Sequence, residues 1–536
     1  MFEGVGKPVF SGIAIGPART WRQEQAPLPE PSGDAAAERQ AFEAACETAR
    51  AQLTGLYETA CRELGEEQAM ILEVQLLMLD DQDFLESVQA RLEAGEGAAR
   101  AAKATGEEFS EAFAALDDPY MKARAADVRD VSQRLVNILC GGRQEFSLPE
   151  PCILLAEDLT PSETVQLPRD KILAFVTRQG SANSHIAILA RTMNIPSLVQ
   201  ARDLPDVEDG CPMIVDGFAG RYYLEPDGQT LSAMIRKAEE AAERRRRLEA
   251  YRGVPTVSRS GRRIKLLANI GSPDDVDAAL AQDAEGVGLL RSEFLYLGRS
   301  DFPTEEELYE AYCQAARKLG DRPLVIRTLD IGADKQADYF HLPAEENPAL
   351  GCRGIRLCLC REDIFRPQMR AIYRAAALRP LSAMFPMIAS VEEVRRAKAF
   401  CQKIRQELAD EGVPFGEVEL GVMIETPAAA LISAELAKEV QFFSVGTNDL
   451  TQYTLALDRQ NAALEEFLDT HHPAVLALVR MTVENAHAQG IWAGICGELG
   501  ADPTLTELFL EMGCDELSVS PGRVLELRAK ICESEV

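Results

Sequence analysis

Eight apolar runs recur at nearly even intervals through the second half of the chain, at residues 265–270, 286–290, 324–329, 382–388, 420–424, 442–446, 491–496 and 516–520. Most are separated by stretches with helical spacing. Runs that stay apolar throughout, instead of alternating, suit strands covered on both faces, as in parallel sheets. Eight of them alternating with helices over about 280 residues predict a (β/α)8 barrel. Such a barrel builds its active face from the C-terminal ends of its strands, and there the sequence places Arg291, Arg327, Glu425, Asn448 with Asp449, and Cys496. One polar residue after a strand is ordinary. Five such positions, carrying both cations and anions, favour a site.

The preceding half has two other textures. Residues 33–140 are rich in alanine and glutamate, with helical spacing in stretches such as Gln68–Leu79, and predict a helical bundle. From Cys152 short apolar runs separated by Pro, Gly and Asp turns, with a helix over Ile186–Met193, predict a small α/β unit. Ser232–Gly253 is a charged helix without a strong apolar face, suited to connecting domains.

The chain has 536 residues, 46% hydrophobic and 26% charged, which is a globular balance in several domains. Its net charge of −30 argues against nucleic acid and anionic membrane surfaces as partners, so an anionic substrate must meet a local arginine cluster. The acid is uneven: residues 23–140 hold 24 acidic and 10 basic residues, a net of −14, which is either solvated surface or a dock for a basic protein. With no signal-like start and no long apolar run, the expected location is the cytoplasm, without membrane insertion. The 13 cysteines form no CxxC pair and suit reduced thiols; Cys352, Cys358 and Cys360 come nearest to a metal pattern but lack a fourth ligand nearby.

Of five histidines, His185 alone follows a Gly-Ser turn and opens a helix, in Gly180-Ser-Ala-Asn-Ser-His-Ile-Ala-Ile-Leu-Ala-Arg191, with Asn183 or Ser184 as its cap. A ring nitrogen there can attack phosphorus while the helix start steadies the acquired charge. A surface capping-turn histidine is the plain alternative. In the barrel half, Arg291 and Arg327 can each grip a carboxylate or phosphate, and Arg353, Arg356 and Arg459 add cations. Glu425 and Asp449 follow consecutive strands and can share one Mg2+ with substrate oxygens, surface salt bridges being the alternative for each. Cys496, in Gly494-Ile-Cys-Gly-Glu498, is a nucleophile, a proton donor or packing, and the lack of a base partner in sequence favours proton transfer to a carbanion or enolate. This set describes a metal-assisted reaction on a small phosphorylated acid.

Together these segments closely resemble Enzyme I of the bacterial phosphoenolpyruvate-dependent sugar phosphotransferase system. The resemblance runs over nearly the whole chain: Ser11-Gly-Ile-Ala-Ile-Gly16, Ala125-Ala-Asp-Val-Arg-Asp130, Asp158-Leu-Thr-Pro-Ser-Glu-Thr164, Gly288-Leu-Leu-Arg-Ser-Glu-Phe294, Arg327-Thr-Leu-Asp-Ile-Gly-Ala-Asp-Lys335, Asn347-Pro-Ala-Leu-Gly-Cys-Arg353, Gly446-Thr-Asn-Asp449 and Cys496-Gly-Glu498. It implies a phosphohistidine domain of residues 1–22 and 145–228, an inserted helical subdomain of 23–144 that docks the carrier protein HPr, a linker helix of 229–254, and a phosphoenolpyruvate-binding barrel of 255–536. The implied chemistry is a relay from phosphoenolpyruvate to Nε2 of His185 and then to a histidine of HPr, with Cys496 protonating the enolate to give pyruvate. Glu425 and Asp449 would bind Mg2+, and Arg291, Arg327, Asn448 and Arg459 the substrate, with Arg353 a further phosphate contact. A swing about the connector and a homodimer through the barrels are also implied.

The chain departs from the family pattern at Ser181, Ala182 and Asn183 in the histidine motif, and at Gln200, where a glycine is expected. Only 16 residues follow Ser520, so a terminal helical extension is expected to be missing. Two competing readings are a pyruvate phosphate dikinase or phosphoenolpyruvate synthase relative, which needs a nucleotide-binding domain ahead of the histidine, and a silent paralogue, which would have lost His185, a metal carboxylate or Cys496.

Overall fold

The computed structural model describes the chain except residues 22–26, 65, 116–118, 142–147, 161–162, 165–166, 181–184, 194, 298, 333–337, 344 and 460. It divides into two compact units, Met1–Arg244 and Arg245–Val536. The boundary falls within one long helix, Gly228–Glu249, which has no buried residue along its length.

In the first unit eight strands form one mixed sheet: β1 (Phe2–Val5), β2 (Lys7–Phe10), β3 (Ile13–Thr20), β4 (Cys152–Ala156), β5 (Ile172–Thr177), β6 (Ser197–Val199), β7 (Pro212–Asp216) and β8 (Arg221–Leu224), in the order β1-β8-β7-β3-β4-β5-β6-β2. The apolar runs of β4 and β5 are buried almost throughout because they pair in parallel at the centre of the sheet. Beyond β5 the chain enters the helix His185–Met193 and returns as β6. Gln200, just after β6, takes φ of +57° with its amide donating to Gly180 O at 3.1 Å, a left-handed conformation that costs a side-chain residue about 1 kcal/mol and suits the glycine expected there.

Five helices, Ala35–Leu64, Glu66–Met78, Gln82–Glu93, Ala98–Ala114 and Pro119–Leu139, are inserted between β3 and β4. They enclose their own core around Leu53, Leu72, Val88, Ala101 and Leu135. Buried polar groups tie this bundle internally: Gln75 donates to Asp130 at 2.9 Å, and Arg124 pairs with Asp127 at 3.3 Å. Burial, only partly offset by Arg124, still pushes the Asp127 carboxyl up to about 6.

The second unit is the barrel. Its strands are β9 (Lys265–Ile270), β10 (Val287–Leu290), β11 (Leu324–Arg327), β12 (Leu381–Phe385), β13 (Val418–Ile424), β14 (Phe442–Val445), β15 (Trp492–Ile495) and β16 (Glu516–Val519), all parallel and closed by pairing of β16 with β9. The outer faces of the strands bury against the surrounding helices in one large core. Leu289, Val325, Met384, Met423, Phe442 and Cys496 fill the inside. Capping boxes, Thr304 with Glu307 and Ser390 with Glu393, start two of the outer helices and contribute about 1 kcal/mol each. Among the described residues no helix is long and apolar enough to cross a membrane.

Candidate active site in the barrel mouth

Arg291 follows β10, Arg327 ends β11, Glu425 follows β13, Asn448 and Asp449 follow β14, and Cys496 follows β15. All six, with Arg353 and Arg459 from the connecting segments, line one cavity of about 940 Å³. Arg291 and Arg459 are exposed, Asn448 and Asp449 half-buried, and Arg327, Arg353, Glu425 and Cys496 buried. The cavity therefore grades from a solvated cationic rim to a dry floor.

Two acids that sequence reasoning did not single out hold the deep arginines. Glu293 contacts Arg327 at 2.7 Å, and Asp330 lies 3.2 Å from Arg327 and 3.0 Å from Arg353. Burial works against both guanidinium charges, but for Arg327 the neighbouring Glu293, Asp330 and Glu425, and for Arg353 chiefly Asp330, outweigh it and hold the protons more tightly than usual. Arg327 Nε remains buried with no hydrogen-bond partner in the protein. Both acids sit inside the segments Gly288–Phe294 and Arg327–Lys335, and the spacing of Asp330 three residues after Arg327 was the available signal.

Glu425 is fully buried, and one of its oxygens accepts the Met387 N–H at 2.6 Å. Its other oxygen has no partner, and a side chain at Gly446 would come within 3.0 Å of it. Burial, with the adjacent Asp330 and Asp449 charges, raises this carboxyl well above its ordinary range despite Arg327 nearby. A cation relieves carboxylates whose charges act on one another in this way, and oxygen donors are what a hard divalent ion takes.

Cys496 donates its thiol to Val445 O at 3.6 Å. Burial lifts the thiol to about 12, against the opposing influences of the Ser444 hydroxyl and Arg327. A thiol so held keeps its proton at neutral pH and is a poor nucleophile. The turn after it is fixed by Asn448, which receives the Glu498 N–H at 3.0 Å and donates back to the Glu498 carboxylate at 3.3 Å. Gly497 is required there, since a Cβ would lie 2.0 Å from Thr447 Oγ1.

His185 is the first residue of its helix in the other unit; its side chain, and residues Ser181–Ser184 with the expected cap, lie outside the described residues, as does Ala333–Ala337 of the barrel segment. His471 pairs with Asp502 at 2.6 Å, and His472 caps the helix Pro473–Ala488.

Three family models tile the chain: PEP-utilising enzyme, N-terminal, over residues 5–124; PEP-utilising enzyme, mobile domain, over 148–220; and PEP-utilising enzyme, PEP-binding domain, over 245–536. Proteins named phosphoenolpyruvate-protein phosphotransferase are similar along almost the entire length. The one from Priestia megaterium is 41% identical over 98% of this chain and 93% of its own, and that from Geobacillus stearothermophilus 40% identical over 98% and 92%. The one from Staphylococcus aureus is 40% identical over 91% and 86%. A closed parallel barrel whose arginines, acids and thiol share one cavity, preceded by a mixed α/β unit carrying a helical insertion, agrees with all three models, and the chain belongs to the phosphoenolpyruvate-protein phosphotransferase family of PEP-utilising enzymes.

Proposed function

We propose that this chain moves the phosphoryl group of phosphoenolpyruvate onto His185 and then onto a histidine of the carrier protein HPr, releasing pyruvate, as the first step of the sugar phosphotransferase system. The observation that carries the reading is the barrel cavity, where four arginines, the Glu425 and Asp449 carboxylates and a protonated thiol meet. A three-carbon substrate with a phosphate at one end and a carboxylate at the other needs cations for both ends and a proton for its methylene carbon.

In this mechanism Arg291, Arg327, Asn448 and Arg459 hold the substrate, with Arg353 a further phosphate contact. Because Asp330 and Glu293 already fix the deep arginines, these meet the phosphoryl group without reorganising. The bond from phosphorus to the bridging oxygen breaks as one forms to a ring nitrogen of His185, and the enolate of pyruvate leaves. The helix start at His185 steadies the phosphoryl charge. Cys496 then gives its proton to the methylene carbon, and water returns a proton to the thiolate. Glu425 and Asp449 would hold Mg2+, for which the unpartnered Glu425 oxygen leaves a place. When bound, the ion offsets the negative charge that the carboxylates and phosphate bring together.

Phospho-His185 passes its group to the HPr histidine, HPr docking on the helical insertion, in which the net charge of −14 over residues 23–140 suits a basic partner. The enzyme works in the cytoplasm as a homodimer through its barrels, the domains being those of residues 1–22 with 145–228, 23–144, 229–254 and 255–536. The test is stoichiometry: with phosphoenolpyruvate, Mg2+ and a measured amount of HPr, one pyruvate should form for each HPr phosphorylated. No pyruvate under these conditions, or release that continues without carrier, overturns the reading.

A further inference from the structure

Cys496 is the first residue beyond β15, and the last pair that β15 makes with β16 is Ile495 with Leu517. The Cys496 N–H is held by Val445 O of β14 at 3.1 Å. Among the described residues no backbone N–H donates to its carbonyl. The partner it finds is a side chain from beyond β16: Asn269 of β9 donates Nδ2–H to Cys496 O at 2.8 Å. The Asn269 amide is itself oriented, because the buried Ser518 hydroxyl of β16 donates to its Oδ1 at 2.7 Å. Gly288 of β10 leaves the room for this line, since a Cβ there would lie 2.5 Å from Ser518 Oγ.

We propose that Asn269, oriented by Ser518, is a positioning residue for proton transfer: by fixing the Cys496 carbonyl it sets the direction in which the thiol is presented to the substrate carbon. Asn269 is not among the residues lining the cavity, so it acts through Cys496 and not on the substrate. With the N–H tied to β14 and the C=O tied to β9, the peptide planes on both sides of Cys496 are fixed, and the Cα–Cβ bond with them. Release of the carbonyl removes the one tie, among the described residues, on the Cys496–Gly497 peptide itself and leaves its orientation to the Asn448 bonds with Glu498 further along the turn, and a displacement of about 1 Å at a reacting atom costs on the order of a hundredfold in rate. Sequence reasoning missed Asn269 because it lies within an apolar strand, not at a strand end.

The inference rests on the reading of Cys496 as proton donor, and the test separates the two. Wild type and variants, Cys496→Ala among them, are mixed with phosphoenolpyruvate, Mg2+ and HPr, and the turnover number for pyruvate formation is followed together with phosphoenolpyruvate affinity. Asn269→Ala should lower turnover about tenfold or more while affinity stays within about twofold. Asn269→Asp, equal in size but presenting an oxygen to the carbonyl, should lose at least as much. Ser518→Ala, which frees the amide but leaves Asn269, should fall between Asn269→Ala and wild type. Turnover at the wild-type rate in Asn269→Ala or Asn269→Asp, or a loss matched by affinity, overturns the positioning role. Turnover of Cys496→Ala at the wild-type rate overturns the proton-donor reading instead.

Discussion

Asp330 receives Arg353 on both of its carboxylate oxygens, at 3.1 and 3.0 Å, in a place where neither residue is more than a few per cent exposed. Arg327 stands 3.2 Å from the same carboxylate, so one acid fixes two of the cations in the cavity. Removing one partner of a buried pair leaves the other charge uncompensated, at a cost of about 3 kcal/mol or more. Asp330→Ala is therefore expected to lower the stability of the barrel by an amount of that order, read as a fall in its denaturant midpoint. It should also weaken phosphoenolpyruvate binding roughly tenfold or more, measured by calorimetry, because two arginines lose their orientation.

Cys496→Ala should slow pyruvate formation by a hundredfold or so, while the dissociation constant for phosphoenolpyruvate changes little, since an acid used only in the transition state acts on turnover. Steady-state rates set beside equilibrium binding decide this. An equal loss in both would assign the thiol to packing.

The barrel strands were legible because strands buried on both faces read as unbroken apolar runs. Where a strand carries a polar residue inward, the reading fell short: β13 begins at Val418, two residues before the apolar run, because Glu419 points inward and is satisfied by Ser382 at 2.8 Å and Trp492 at 3.0 Å. Chemical residues at strand ends were legible for the same topological reason, and the structure gathers those of the barrel around one cavity. Glu293 and Asn269 were not, because their importance lies in which distant group each one meets, and a distance across a barrel leaves no spacing in the chain; Asp330 had only its place three residues after Arg327 to mark it. Gln200 shows the converse, a departure visible in sequence whose backbone still takes the glycine-like conformation.

Glu516, at the start of β16, is buried inside the barrel. Burial, opposed by Lys265 and reinforced by Glu419 and Asp515, pushes its carboxyl from the ordinary 4.5 up to about 8. Between those two values the unfolded chain has ionised this group while the folded chain keeps it protonated. Its contribution is thus fully present below pH 4.5 and is lost as pH rises through about 8. The slope it adds is about 1.4 kcal/mol per pH unit. Urea midpoints of the barrel in wild type should fall over this window, and Glu516→Gln should flatten the fall. An unchanged slope in Glu516→Gln would contradict the assignment.

His185→Ala should leave phosphoenolpyruvate binding to the barrel unchanged, because the eight cavity residues assigned to binding, metal and proton transfer all lie in the other unit. Calorimetry on the full chain reads this directly, and a matching loss of affinity would mean that the binding site is misassigned.

The most direct test of the relay is the intact mass of the protein after incubation with phosphoenolpyruvate and Mg2+, with and without HPr, in wild type and His185→Ala. The account predicts one acid-labile phosphoryl group on wild type alone, discharged when HPr is added. A phosphoryl group that persists on His185→Ala, or wild type that takes up none, would contradict it.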